Sequence, residues 1–151
     1  MKSAALLAAV VACGAVASPL AAADDGPLGS MTLLPGYEHR PLQGIDSVVG
    51  QIVKEDGLTL TYEIGAVPKP GGLMLGGMFS DRPKKTPENR RRWYKEQTIN
   101  GQPMHLAYLK DRQLLVSFPK QGMNVSGTVK TPEEMADVLL MLTTYPPADA
   151  E

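Results

Sequence analysis

Between residues 58 and 64, Leu58, Leu60, Tyr62 and Ile64 alternate with Thr59, Thr61 and Glu63. A period of two puts the apolar side chains on one face of a strand and the polar ones on the other. The β-rich run 48–54 precedes it across Glu55-Asp56-Gly57, so the two runs predict a hairpin. Further strands are predicted over 91–99, 104–109, 113–118 and 123–129. Asn100-Gly101 follows the first of these, and both residue types tolerate the positive φ of a tight hairpin turn. Lys110-Asp111-Arg112 and 119–122 mark the next turns. In the last run Met123, Val125 and Val129 alternate with Asn124, Ser126 and Thr128.

The period then changes. Thr131 suits an N-cap, Pro132 the first helical position, and Glu134 completes a capping box. Met135, Val138, Leu139 and Leu142 fall at i, i+3, i+4 and i+7, one apolar stripe. Pro146-Pro147 prevents continuation. Strands do not alternate with helices, which excludes Rossmann and flavodoxin-like folds. The expected fold class is α+β, an antiparallel sheet of about five to seven strands with one amphipathic C-terminal helix packed on it.

The remaining stretches lack a period. Residues 32–44 (TLLPGYEHRPLQG) carry two prolines and predict irregular chain with one short edge strand. Residues 66–77 (AVPKPGGLMLGG) read as a Gly/Pro loop and 80–89 (SDRPKKTPEN) as a polar connection, with room for a short strand between Leu73 and Phe79. The expected organisation is a signal peptide over 1–23, a flexible linker over 24–31, one domain over 32–147 and a disordered tail over 148–151.

The signal peptide rests on Met1-Lys2, the small and apolar run 3–16, and Ala21-Ala22-Ala23 before Asp24-Asp25. Cleavage after Ala23, or after Ala17, predicts an exported domain, periplasmic or secreted. Val10-Val11-Ala12-Cys13 also reads as a lipobox, which would make Cys13 the lipidated first residue of an outer-membrane lipoprotein. Left uncut, 3–23 is about long enough to span a bilayer, but it is Ala-dominated and carries Pro19. No membrane span is expected after processing.

Composition adds constraints. The 151 residues, less a leader, make one domain of ordinary size, and 43% hydrophobic with 21% charged residues suits a soluble globular protein. The only cysteine is Cys13, so the processed domain is expected to hold no disulfide. A net charge of -1 supplies no global attraction to nucleic acid, and no such partner is expected. The oligomeric state is not set by these features.

The segments LPGYEH, GIDSVVGQI, GLTLTYEIG and TPEEMADVLLMLTTYPP, in that order, resemble a group of small exported bacterial proteins of unassigned activity. The most specific pieces are Gly44-Ile45-Asp46-Ser47 with Gly50, and Tyr62-Glu63-Ile64-Gly65. The resemblance implies an exported single domain and no mechanism. The order of elements, strands ending in a helix, is also similar to Mog1/PsbP-like α/β sandwiches, an analogy of fold and not of function.

Candidate chemistry is concentrated in one stretch. From 82 to 95 seven cations stand against Glu88 alone, a local charge of +6, with Trp93 and Tyr94 beside the arginines. Lys84, Lys85, Arg90, Arg91, Arg92 and Trp93 are the candidate binding residues, suited to an anionic envelope component or an acidic protein face. The competing explanation is a solvated loop whose Trp93 anchors in the core. Asp46-Ser47 with His39 would serve a small serine hydrolase if base and hydroxyl met, but no G-x-S-x-G elbow is present, and Asp46-Ser47 more simply caps a turn. Met74, Met78, Met104 beside His105, and Met123 could bind Cu(I) but more often fill core gaps. No catalytic residue, metal or cofactor is expected. The function expected is that of a non-catalytic binding or accessory domain, with a serine hydrolase using Ser47 or a lipid-anchored structural module as alternatives.

Overall fold

The computed structural model describes residues 26, 28–55, 57–67 and 77–146. The expected leader with Cys13, the tail 148–151, Asp56 and the part of the Gly/Pro loop that holds Met74 lie outside them.

Seven strands form one antiparallel sheet: β1 (Tyr37–Leu42), β2 (Val48–Lys54), β3 (Thr59–Ile64), β4 (Arg91–Ile99), β5 (Gln102–Leu109), β6 (Gln113–Phe118) and β7 (Met123–Thr128). Their order is β1-β2-β3-β7-β6-β5-β4, so two meanders are joined where β3 pairs with β7. Two helices accompany the sheet, α1 (Arg82–Lys85) and α2 (Pro132–Thr143). The fold is α+β.

Local chemistry explains the elements. Asn100 and Gly101 have φ of 53° and 75°, and the β4–β5 register closes on Ile99 opposite Gln102, so β5 begins at once after the turn. Thr131 Oγ1 accepts from the Glu134 amide at 3.2 Å, and Glu134 Oε2 accepts from the Thr131 amide at 3.3 Å, the expected capping box. On the face under α2, Tyr62, Val125, Val116 and Leu106 are successive cross-strand partners. Val138, Met141 and Leu142 of α2 join them in the buried core, with Met135 and Leu139 at its margin. Gly50 lies opposite Tyr62, and a Cβ there would come within 2.4 Å of the phenol oxygen. The glycine thus leaves room for the ring, whose hydroxyl lies 2.9 Å from His39 Nε2 on β1.

Three stretches depart from expectation. Leu28 and Met31, inside the expected linker 24–31, are buried core residues, and the Thr32 amide donates to Thr144 Oγ1 at 2.8 Å. Two isolated apolar residues packed on the end of α2 leave no periodic trace in sequence. The polar connection 80–89 holds α1 and a 3₁₀ turn over Glu88–Arg90. Near the expected short strand, Ala66 and Met78 form a single parallel bridge, and the residues between 68 and 76 lie outside the described set.

Asp137 ties α2 to the sheet. Its Oδ2 accepts from Tyr37 Oη at 2.9 Å and from Lys54 Nζ at 3.1 Å, and the Lys54 ammonium sits 5.0 Å from the Tyr37 ring centre. The Lys54 hydrogen bond first, then that of Tyr37, holds the Asp137 carboxyl below its ordinary range. Burial first, then Asp137, pushes the Tyr37 phenol upward.

Leu142 is 1% exposed and Leu140 is 58% exposed one turn-face away. Leu142→Ala is expected to cost about 2–5 kcal/mol and Leu140→Ala under about 0.5 kcal/mol, read from denaturant midpoints. A carboxyl lowered in the folded state adds stability that is complete above its unfolded value and lost as pH falls through the folded one. Acidification through the carboxylate range should therefore shrink the stability gap between wild type and Asp137→Asn, measured by urea unfolding. A gap that stays constant would show that the latch does not act through its charge.

Candidate functional site

The register builds a polar row on the face opposite α2. Glu63, Asn124, Ser117, His105 and Glu96 are successive partners across β3, β7, β6, β5 and β4, with Val49 of β2 continuing the row beyond Glu63. Glu63, Asn124, Ser117 and His105 alternate with core residues along their strands, so they point to the back of the sheet. Ser117 is 0% exposed and Asn124 5%, and buried polar groups at such positions require partners.

Residues 81–84 supply them. Asp81 Oδ1 accepts from Ser117 Oγ at 2.8 Å, and His105 Nδ1 donates to Asp81 Oδ2 at 2.5 Å. Asp81 Oδ1 also caps α1 by accepting from the Lys84 amide at 3.3 Å. The Arg82 amide donates to Asn124 Oδ1 at 3.3 Å, and its guanidinium pairs with Glu63. Lys84 Nζ lies 3.7 Å from Glu96. Pro83 is buried, and α1 packs against β5 and β6, whose back faces carry Ala107, Leu109 and Leu115. Tyr94 Oη donates to Glu96 at 2.6 Å, which lowers the Glu96 carboxyl, while burial and then Glu96 raise the Tyr94 phenol.

Docking α1 in this way leaves an open depression of about 380 Å³ between its far end and strands β6 and β7. Arg82, Lys85 and Arg90 line it, with the polar side chains of Ser80, Thr86, Gln113 and Ser126. Pro87 and Leu115 give it apolar surface, and no carboxylate lines it. Arg82 and Ser80 also border a smaller cavity of about 70 Å³ beside Glu63 and Asn124.

The six candidate binding residues do not share one surface. Lys85 and Arg90 line the depression, whereas Lys84 is turned to Glu96. The Arg91 guanidinium sits 4.7 Å from the Tyr94 ring centre and donates to the Lys84 carbonyl at 2.7 Å. A register shift lies between Arg91 and Trp93. Arg92 there donates to the Lys110 carbonyl at 3.3 Å, over the Tyr108 ring. Trp93 packs against the main core with its ring 5.8 Å from that of Tyr108. Arg82, which was not among the six, joins Lys85 and Arg90 there, and its i, i+3 spacing to Lys85 was the available sequence signal.

The hydrolase constellation does not assemble. His39 lies opposite Ile52, and its Nε2 is engaged with Tyr62 Oη. Ser47 lies beyond Val48, and the strand from Val48 to Ile52 alone spans about 13 Å at roughly 3.3 Å per residue, so their positions are well apart. Asp46 uses its carbonyl to accept from the Gly77 amide at 2.8 Å. Met104 and Met123 are 2% and 0% exposed core residues, and Met78 is exposed. Among the described residues no group of three His, Cys, Asp or Glu is placed to hold a metal ion.

Compared with protein-family models, curated proteins and solved structures, the chain matches none. Among the described residues no helix is long and apolar enough to cross a membrane.

Asp81→Ala would strand the Ser117 and His105 donors. At about 1–3 kcal/mol for each stranded group, the expected loss is about 2–6 kcal/mol. Hydrogen exchange should also quicken at Lys85 and Thr86, whose amides donate to the Asp81 and Arg82 carbonyls, before it does in the central strands. Unchanged stability and exchange would remove Asp81 as the anchor of α1.

Proposed function

We propose that the chain is an exported, non-catalytic binding or accessory domain of the cell envelope that recognises an anion through Arg82, Lys85 and Arg90. One observation carries the proposal: Lys85, Arg90 and Arg82, the last shared with Glu63, line an open depression whose lining contains no carboxylate. Lys85 has no ion pair among the described residues, and Arg90 reaches Asp111 only at 3.9 Å on the open surface, a geometry worth little in water. Guanidinium forks suit two-oxygen anions.

The leader and the motif likeness to small exported bacterial proteins support the compartment. An anionic envelope component, or a protein presenting acidic groups, is the partner class that follows. Binding is favoured over catalysis because the buried serine of the back face, Ser117, donates to a carboxylate and not to a base.

Lys85 and Arg90 are both exposed, so Lys85→Glu with Arg90→Glu should leave the fold intact. Immobilised heparin serves as the polyanion probe. Wild type is expected to be retained at low salt and the double variant to elute earlier, with at least a tenfold loss of affinity in direct titration. Arg92→Glu, outside the depression, should elute close to wild type. Equal retention of wild type and the double variant would overturn the proposal.

A further inference from the structure

We infer that the depression takes an anionic saccharide unit, a uronic acid or a sugar phosphate, which extends the anion-binding reading and rests on it. The lining is richer than an inorganic anion requires. Besides the cations, the hydroxyls of Ser80 and Ser126 and the amide of Gln113 border the space and have no side-chain partner among the described residues. Thr86 Oγ1 donates to the Arg82 carbonyl at 2.8 Å, which leaves its oxygen lone pairs as acceptors. A bare phosphate would use the cations and leave the amide idle. A sugar ring uses both, since its hydroxyls exchange hydrogen bonds with amides and hydroxyls.

The apolar part of the lining fits the same ligand. Pro87 offers exposed carbon surface beside the polar groups, over the buried Leu115, and the C–H face of a pyranose is its apolar counterpart. The space is open on one side, so it would hold one face of a sugar unit and not enclose it. A lipid bilayer fits less well. Insertion of a membrane surface needs exposed apolar side chains around the cations, and the exposed large apolar residues Leu42, Ile45, Val48, Met78 and Leu140 do not line the depression. An open site of this kind implies millimolar affinity for a single unit, raised when the units are linked in a polymer.

The test is a titration of the isotopically labelled full processed domain, followed by NMR. The probes are D-glucuronate, D-galacturonate, glucose 6-phosphate, inorganic phosphate, acetate and phosphatidylglycerol vesicles. At least one sugar acid or sugar phosphate is expected to bind tenfold more tightly than phosphate or acetate and to shift the Gln113 side-chain and Ser126 amide signals. Gln113→Ala with Ser126→Ala should abolish that tenfold preference while leaving phosphate binding in place. Lys85→Glu with Arg90→Glu should abolish both. If phosphate or acetate binds as well as every sugar, or if Gln113→Ala with Ser126→Ala keeps the preference, the saccharide inference fails and anion binding stands. Preference for the vesicles would replace the saccharide by a lipid surface. No binding of any probe, with the domain folded, would remove both readings.

Discussion

The Asp81 carboxylate accepts from three donors that come from three separate places: Ser117 on β6, His105 on β5 and the amide of Lys84 inside α1. The two strand residues are cross-strand partners; Ser117 is fully buried and His105 half-buried. A four-residue helix has no stability of its own, so α1 exists because its cap is also the partner of these two side chains. The dependence runs both ways. Without α1, Ser117, His105 and Asn124 would be polar groups on a bare strand face, and without those three residues the α1 segment would be left with Pro83 and half-exposed polar contacts. Arg82 with Glu63 and Lys84 with Glu96 extend the same attachment toward both sides of the sheet. Those outer pairs are half-exposed and contribute less than the central carboxylate.

The front of the molecule was largely legible in sequence. The expected strands 48–54, 91–99 and 113–118 are β2, β4 and β6 as they stand, Asn100-Gly101 makes the turn, and the Thr131 box starts α2. These features are local, because the residues that form the signal also form the bond. The back face is not local. Asp81 lies 36 residues from Ser117 and 24 from His105, and two prolines in SDRPKKTPEN mask a helix held by tertiary bonds. Polar residues flanked by apolar ones in β5, β6 and β7 were the visible sign of a second buried surface. Without register they could not be assembled into a row.

The basic stretch shows the complementary limit. Seven nearby cations look like one patch when written in a line, but strand geometry disperses them. Along β4 alternate residues face opposite sides, and the irregularity between Arg91 and Trp93 turns Arg92 toward the Tyr108 side. Trp93 is consumed by the core, and Arg91 by the Tyr94 ring and the Lys84 carbonyl. What survives as free charge is carried by the α1 segment and the turn after it. Charge density in sequence thus measures how many cations must be accommodated, whereas the fold decides which are left over.

The surviving cations and the anchor belong to one segment, and that couples binding to folding. Lys85 and Arg90, with the Glu63-paired Arg82 beside them, sit on the docked segment, whereas Gln113, Leu115 and Ser126 sit on the sheet. A ligand that touches both sets can be held only while Asp81 keeps α1 in place. Binding to the docked form alone stabilises it by RT ln(1 + [L]/Kd), so occupancy and docking reinforce each other. The converse constrains affinity. If α1 were undocked for an appreciable fraction of the time, apparent binding would weaken by that fraction. A half-buried carboxylate with three donors in place keeps that fraction small. The polar row on the back of the sheet therefore acts at a distance on the site, through the placement of three cations and not through any contact with the ligand.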